Sequence, residues 1–178
     1  MSEQANMHFL CTINPKAGAD EEVLKEVKAV FGADTHAHLL EELSDIYIVC
    51  PASEDTLDKL SKLQANKGVL DTSIEVVRTR HLVQKEVKTD NVFLVLADTE
   101  NGAVNTFIDG LQAEVGKRNA GEIELLFVGE IFSPRADVAA IISTNGITLG
   151  EVSGRIRELS GVKDTQVYTF KRVFLGGA

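Results

Sequence analysis

A seven-residue motif, Gly-Val-x-Asp-Thr-x-(Ile/Val), occurs twice in the chain, as Gly68-Val69-Leu70-Asp71-Thr72-Ser73-Ile74 and as Gly161-Val162-Lys163-Asp164-Thr165-Gln166-Val167. The offset is 93 residues (161 − 68) in a chain of 178. Self-similarity at about half the chain length marks an internal duplication, so the fold has to be built from two copies of one supersecondary unit.

The hydrophobic pattern gives the same order of elements in each copy. Met7 to Ile13 is a short β-rich run closed by Asn14-Pro15 and Ala17-Gly18. Val23, Val27, Val30 and Phe31 then fall on one helical face over Asp20 to Phe31, with three acidic residues in the first turn and Gly32 as the stop. Thr35 to Leu40 and Ile46 to Cys50 make a hairpin. Ser53 caps a second helix lined by Leu57, Leu60 and Leu63, and Gly68 opens a strand on which Leu70, Ile74 and Val76 alternate with polar residues. The second copy repeats this with Val92 to Ala97, a helix on Val104, Phe107, Ile108, Leu111 and Val115, strands at Glu122 to Val128 and Val138 to Ser143, and a helix after Thr148. Glu151 completes a capping box there, Leu149, Val152, Ile156 and Leu159 are its buried face, and Gly161 opens the last strand. The order β-α-β-β-α-β is the ferredoxin-like one. The expected fold is α+β: two tandem ferredoxin-like βαββαβ repeats, residues 7–82 and 91–175, joined by a polar linker at 83–90. A four-stranded sheet with both helices on one side leaves its other face uncovered and apolar, so the sheets are expected to pack as a dimeric α+β barrel-like unit, within the chain or against another copy.

Gly18 aligns with Gly102, and Ser44-Asp45-Ile46 with Ala136-Asp137-Val138. Between these marks the second copy is longer by eight residues, 35 (137 − 102) against 27 (45 − 18). The excess falls in the Gly116–Gly121 loop and the Gly129–Arg135 hairpin tip, places where function usually diverges.

Composition removes several classes. The net charge is −9, so the basic footprint needed to hold a phosphate backbone is missing and direct nucleic-acid binding is not expected. No apolar run approaches the ~18–20 residues that cross a bilayer, and no signal-peptide stretch is present. A cytoplasmic protein with no membrane partner is expected. Cys11 and Cys50, the two cysteines, both lie in apolar runs. They are expected as buried thiols in a reducing compartment. No Cys-x-x-Cys occurs, so neither a zinc site nor a redox pair is anticipated.

Each half resembles the ligand-binding regulatory module of the Lrp/AsnC family. Three features carry the resemblance: a helix after a Gly-ended turn (Gly18; Gly102), an Asp at the start of the third strand (Asp45; Asp137), and Gly-Val-x-x-Thr after the second helix (Gly68, Val69, Thr72; Gly161, Val162, Thr165). It covers nearly the whole chain, twice over. The family's helix-turn-helix has no counterpart, with about six residues before the first strand. Its Gly-x-Tyr before the Asp is Glu42-Leu43-Ser44 in one half and Pro134-Arg135-Ala136 in the other. The resemblance implies a non-enzymatic module that senses a small molecule, an amino acid among the candidates. Such a module would oligomerise or form an internal pseudo-dimer, and would act on transcription or metabolism through a partner carrying the DNA-binding domain. The alternatives are an enzyme or haem- or metal-binding protein of the dimeric α+β barrel class, and a purely structural oligomer.

The ligand-binding candidates are Ser44, Asp45, Arg135, Asp137, Thr72 and Thr165. Each has a structural role open to it as well: Asp45 and Asp137 as turn caps, the Asp71-Thr72 and Asp164-Thr165 pairs as local backbone partners, and Arg135 as a loop charge. Arg135 could instead grip a carboxylate bidentately. His36 and His38 share a strand face and are weak metal candidates, and His8 and His81 lie on two strands of one half. Ordinary strand histidines are the alternative for all four. No catalytic residue and no cofactor is indicated.

Overall fold

The structure, a computed structural model, describes residues 6–32, 37–40, 45–83, 91–117 and 123–174. The linker at 84–90, the loop residues 118–122, Ser44 and His36 lie outside the described residues. The elements run β1 (Met7–Pro15), α1 (Asp20–Phe31), β2 (Ala37–Leu40), β3 (Ile46–Pro51), α2 (Glu54–Gln64), β4 (Val69–Leu82), β5 (Asn91–Thr99), α3 (Val104–Gly116), β6 (Ile123–Ile131), β7 (Val138–Thr144), α4 (Leu149–Arg157) and β8 (Val162–Phe174). This is βαββαβ twice, as the patterning requires.

The compact units differ from the sequence repeats at two places. One unit holds Val77–Thr169, and the other holds Met7–Val76 with the β8 residues from Phe170. The two long strands account for the difference. Residues Val77–Leu82 of β4 pair antiparallel with β6 in the first of these units. Residues 170–174 of β8 pair antiparallel with β2 in the other.

In the Val77–Thr169 unit, β5 lies between β7 and β8, and β7 pairs on its other side with β6, all antiparallel. One face of this sheet, with Phe93, Val95, Ala97, Val138, Ala140 and Ile142, packs on Phe107, Ile108 and Leu111 of α3 and Val152 and Ile156 of α4. In the other unit β3 lies between β1 and β2. Cys11, Ile13, Ile46, Ile48 and Cys50 pack on Val23, Leu24 and Val27 of α1 and Leu60 and Leu63 of α2. Both cores show the period-two, period-3.6 match of a helix-covered sheet.

Apolar residues at three places are exposed instead of buried. Leu57 is 42% exposed, and the buried face of α2 is Thr56, Leu60 and Leu63 instead. Thr56 can turn inward because its hydroxyl donates to the Pro51 carbonyl at 2.8 Å. Leu149 is exposed on the first turn of α4. Ile147, just before the Thr148 cap, is buried in its place and joins Val152 in the core, the geometry of a hydrophobic staple. On β4 the stripe of Leu70, Ile74 and Val76 is exposed. The capping box itself is present, with the Glu151 amide donating to Thr148 Oγ1 at 3.3 Å and the Thr148 amide donating to the Glu151 carboxylate at 3.0 Å. Among the described residues no helix is long and apolar enough to cross a membrane.

Among the described glycines, the closest approach of a neighbouring strand is at Gly129 of β6. A methyl group there would meet the Val77 side chain in overlap, the Arg78 carbonyl oxygen at 2.9 Å and Thr79 Cα at 3.2 Å. Gly129→Ala is therefore expected to destabilise by about 1–3 kcal/mol through overpacking. Gly116→Ala, at the end of α3 with open space around the new methyl, is expected to be neutral or stabilising by up to ~1 kcal/mol. Urea unfolding of both variants measures the difference, and equal midpoints would contradict the β4–β6 approach.

Candidate functional site

The repeated motif performs the same local task in both units. The Lys16 amide donates to the Gly68 carbonyl at 2.8 Å, and the Glu100 amide donates to the Gly161 carbonyl at 2.9 Å. Asp71 Oδ1 accepts from the Thr72 amide at 2.8 Å, and Asp164 Oδ1 accepts from the Thr165 amide at 2.9 Å. The paired Asp-Thr steps thus bond local backbone. These equivalences align Lys16 with Glu100, so Asn14 corresponds to Asp98 and Pro15 to Thr99. Asp45 corresponds to Asp137, one residue before β3 and β7 respectively.

What surrounds that shared frame differs. In the Val77–Thr169 unit a shallow, solvent-open cleft is lined by Leu96, Asp98, Arg135, Ala136, Asp164, Thr165 and Gln166. Asp98 and Asp164 are direct antiparallel partners across β5 and β8, and Leu96 and Gln166 are the next pair on the same side. Ala97, between them, belongs to the helix-covered core. The two carboxylates therefore stand on the opposite, helix-free face of the sheet. Like charges directly opposite each other destabilise a sheet, so this pair is not a device for strand pairing. The β5–β8 ladder shifts register between Asp98 and Thr99, an irregularity of the kind that re-aims side chains beside sites.

The long hairpin tip brings Arg135 to this place. Asp137 is the pin. Its amide donates to the Ala97 carbonyl at 2.9 Å, and its Oδ2 accepts from the Thr99 amide at 2.8 Å and the Thr99 hydroxyl at 3.1 Å. Asp137 thus spans β7 to β5 instead of capping its own turn, and it sets Ala136 and Arg135 above the carboxylate pair. Ser133 Oγ accepts from the Arg135 amide at 3.1 Å and shapes the tip. Thr165 is buried, and its hydroxyl has no hydrogen-bond partner. A buried unsatisfied hydroxyl costs roughly 1–3 kcal/mol; Thr165, paired opposite Ala97, stands on the helix-covered face and not on the face of the two carboxylates.

Two of the six sequence candidates, Arg135 and Thr165, therefore line one cleft, and a third, Asp137, braces its hairpin from beside it. Thr72 and Asp45 lie in the other unit and are partly buried there. Pro15, the counterpart of Thr99, has no N–H to donate, so Asp45 cannot repeat the Asp137 bond. Asn14 in place of Asp98 removes the carboxylate pair as well. Asp98, Asp164, Leu96 and Gln166 were not among the sequence candidates for a ligand site. The available signal was a carboxylate closing the apolar run Val92 to Ala97. His81 Nε2 lies 3.0 Å from the Leu125 carbonyl, an ordinary strand contact. His8 lies in β1 opposite Pro51. His38 is in β2. Among the described residues no group of three or more His, Cys, Asp or Glu is arranged to hold a metal ion.

No protein-family model matches the chain, and no curated protein matches it in sequence. Solved structures do. A protein from Lactobacillus acidophilus NCFM, described as a "putative monooxygenase", is 12% identical with a TM-score of 0.67, over 97% of each chain. The siroheme decarboxylase NirDL is 8% identical with a TM-score of 0.70, over all of this chain and 75% of that one. TA0507, described as a "putative chlorite dismutase", is 8% identical with a TM-score of 0.56, over 94% of each chain. At such identities the likeness is one of fold. The chain is α+β, with βαββαβ repeats and antiparallel sheet, matching dimeric α+β barrel structures.

Removing the Asp137 carboxylate leaves the buried Thr99 amide without its acceptor. Asp137→Ala is expected to lose about 1–3 kcal/mol of stability, whereas exposed Arg135→Ala stays within about 0.5 kcal/mol of the parent. Chemical denaturation of the two variants checks this, and equal losses would remove Asp137 from its role as the pin.

Proposed function

We propose that the chain is an enzyme of the dimeric α+β barrel class that takes a small polar substrate in the Asp98–Asp164–Arg135 cleft. The observation that carries this is the carboxylate pair directly opposed across β5 and β8. It works against the sheet, occurs in one repeat only, and shares its cleft with Arg135. The two carboxylates can hold a cationic group of a substrate, and Arg135 supplies a fixed positive charge for a carboxylate or developing oxyanion. Two Asp against one Arg leave the cleft net acidic, which favours a substrate that also carries an amine or another cationic group.

A tetrapyrrole is the ligand suggested by one neighbour, which was solved with an iron-uroporphyrin III analogue. The residues of this cleft do not fit that group. Its enclosed space, about 10 Å³, is far below the ~300–1,000 Å³ of sites for drug-sized ligands, and its lining contains no histidine. A substrate here would lie on the open surface, held by charge and not by enclosure. Amino-acid sensing through a DNA-binding partner, the role implied by the Lrp/AsnC resemblance, is the competing outcome.

The test is a thermal-shift screen of small amines, amino acids and hydroxy acids against the parent, Asp98→Asn and Asp164→Asn, with turnover and mass in solution followed for every hit. The expected result is a response in the parent that both variants lose, together with turnover. Relief of the like-charge pair should leave the ligand-free midpoint of Asp98→Asn unchanged or raise it by about 1–3 °C. A response preserved in both variants would remove the cleft from the function. Binding that changes the assembly without turnover would replace the enzyme by the sensor.

A further inference from the structure

Cys11 and Cys50 lie 39 residues apart, with no sequence motif between them, yet their Sγ atoms are 3.5 Å apart in the core of the Met7–Val76 unit. Both are buried free thiols, as expected from the sequence, and β1 and β3 bring together two thiols that spacing alone keeps apart. The core does not require them. By the repeat alignment their counterparts in the other unit are Val95 and Ile142, which fill the same sheet face with hydrocarbon. Among the described residues no third His, Cys, Asp or Glu completes a metal set around the sulfurs.

We propose that Cys11 and Cys50 are a peroxide-oxidised, reversible dithiol–disulfide site, with Cys50 attacking and Cys11 resolving. Cys50 is the more accessible of the two, at 5% against 0%, and it lies four residues before the start of α2. The Cys11 thiol as hydrogen-bond partner, opposed by burial and aided by Thr56 and the Lys59 charge, holds Cys50 below the usual thiol range. The same contact, together with burial and the Cys50 charge, pushes Cys11 up. As a thiol, Cys50 can donate to the Phe9 carbonyl at 3.8 Å; once ionised it would face the Cys11 thiol, the arrangement that the chemistry needs. The Cys50 thiolate attacks a peroxide oxygen and the O–O bond breaks. Cys50 becomes a sulfenic acid, and hydroxide leaves to be protonated to water. The Cys11 sulfur then attacks the Cys50 sulfur, the S–O bond breaks, and a second water leaves with the Cys11 thiol proton. Two thiols are oxidised and one peroxide is reduced to two waters.

Register makes the product reversible. Cys11 stands opposite Ile48 and Cys50 opposite Phe9, so the two cysteines are diagonal neighbours. Diagonal positions lie ~7–8 Å apart, against the ~4.4–6.8 Å between Cα atoms that a relaxed disulfide spans. The sulfurs must close from 3.5 Å to about 2.0 Å, which pulls β1 and β3 against their ladder. A strained bond of this kind is readily reduced. Oxidation is therefore expected to loosen the unit built on that ladder.

The experiment treats the reduced full chain with hydrogen peroxide and then unfolds it for thiol titration and intact mass. The expected result is loss of both titratable thiols and of two hydrogen masses, a lowered thermal midpoint, and full recovery with reduced glutathione. Cys11→Ser is expected to stop at a sulfenic acid on Cys50 that dimedone traps, and Cys50→Ser to keep its Cys11 thiol. Retention of both thiols under peroxide that oxidises free glutathione overturns the proposal. So does oxidation without a disulfide in the parent, or a disulfide that raises the midpoint and resists glutathione. These outcomes are independent of the cleft chemistry in the other unit.

Discussion

One backbone hydrogen bond per repeat organises each half of this chain. The glycine that opens the last strand of a repeat offers its carbonyl to the residue that follows the first strand, Gly68 to Lys16 and Gly161 to Glu100. The bond is possible because the glycine backbone lies almost against the residue that begins the first helix. A methyl group on Gly161 would meet Ala103 Cβ at 2.8 Å, and one on Gly68 would meet Ala19 Cβ at 3.3 Å. The bond joins the end of the second helix to the start of the first. Both helices are thereby committed to the same sheet face, and the two ladder edges they cross are defined. The neighbouring Asp–Thr step bonds its own backbone and completes the corner. That such a corner occurs twice is a consequence of duplication; that it has kept its side chains twice is a consequence of geometry, since any larger residue at the glycine opens the corner.

With the frame held by so few contacts, the rest of each half was free to change, and the halves changed differently. The second repeat replaced Asn14-Pro15 by Asp98-Thr99 at equivalent positions and extended its hairpin. The two alterations are coupled through Asp137. Its carboxylate has a Thr99 N–H to accept from, where its counterpart Asp45 faces a proline. The pin lets the tip after the longer β6 reach back over the sheet and hold an arginine there. The first repeat instead placed sulfur where the second has valine and isoleucine. An acidic cleft on a helix-free face and a thiol pair on a helix-covered face are different uses of one scaffold.

Most of the frame was legible in the sequence because it rests on periodicity and on punctuation by glycine and capping residues. The span of α1, the Ser53 and Thr148 caps and the doubled motif all follow from local rules. Errors arose where a nonlocal contact overrode the local pattern. Thr56 displaced Leu57 from the buried face by bonding to Pro51, and Ile147 displaced Leu149 by stapling onto α4 from outside the helix. The site was partly legible. Arg135, Asp137 and Thr165 drew attention through the hairpin tip and the repeat, but the residue that gives them meaning, Asp98, looks like an ordinary strand end until β8 places Asp164 across from it. The thiol pair was illegible for the same reason: strand register, not spacing, decides which residues meet.

Register also explains why the two features use opposite sheet faces. Alternation along a strand sends successive side chains to opposite sides. At Ala97 and Thr165 the ladder faces the helices; at Asp98 and Asp164, one step on, it faces away. Charge cannot be carried on the helix-covered face without displacing the residues that hold α3 and α4, so a polar site has to occupy the other phase, at a strand end where water can reach it. Thiols behave in the opposite way. Small and weakly polar, they can occupy core positions at little packing cost, and two of them there gain a proximity that solvent-facing cysteines on mobile segments would lack. A reactive pair in the core and a charged pair at the rim are thus the two kinds of chemistry that this sheet can accept without giving up its helices.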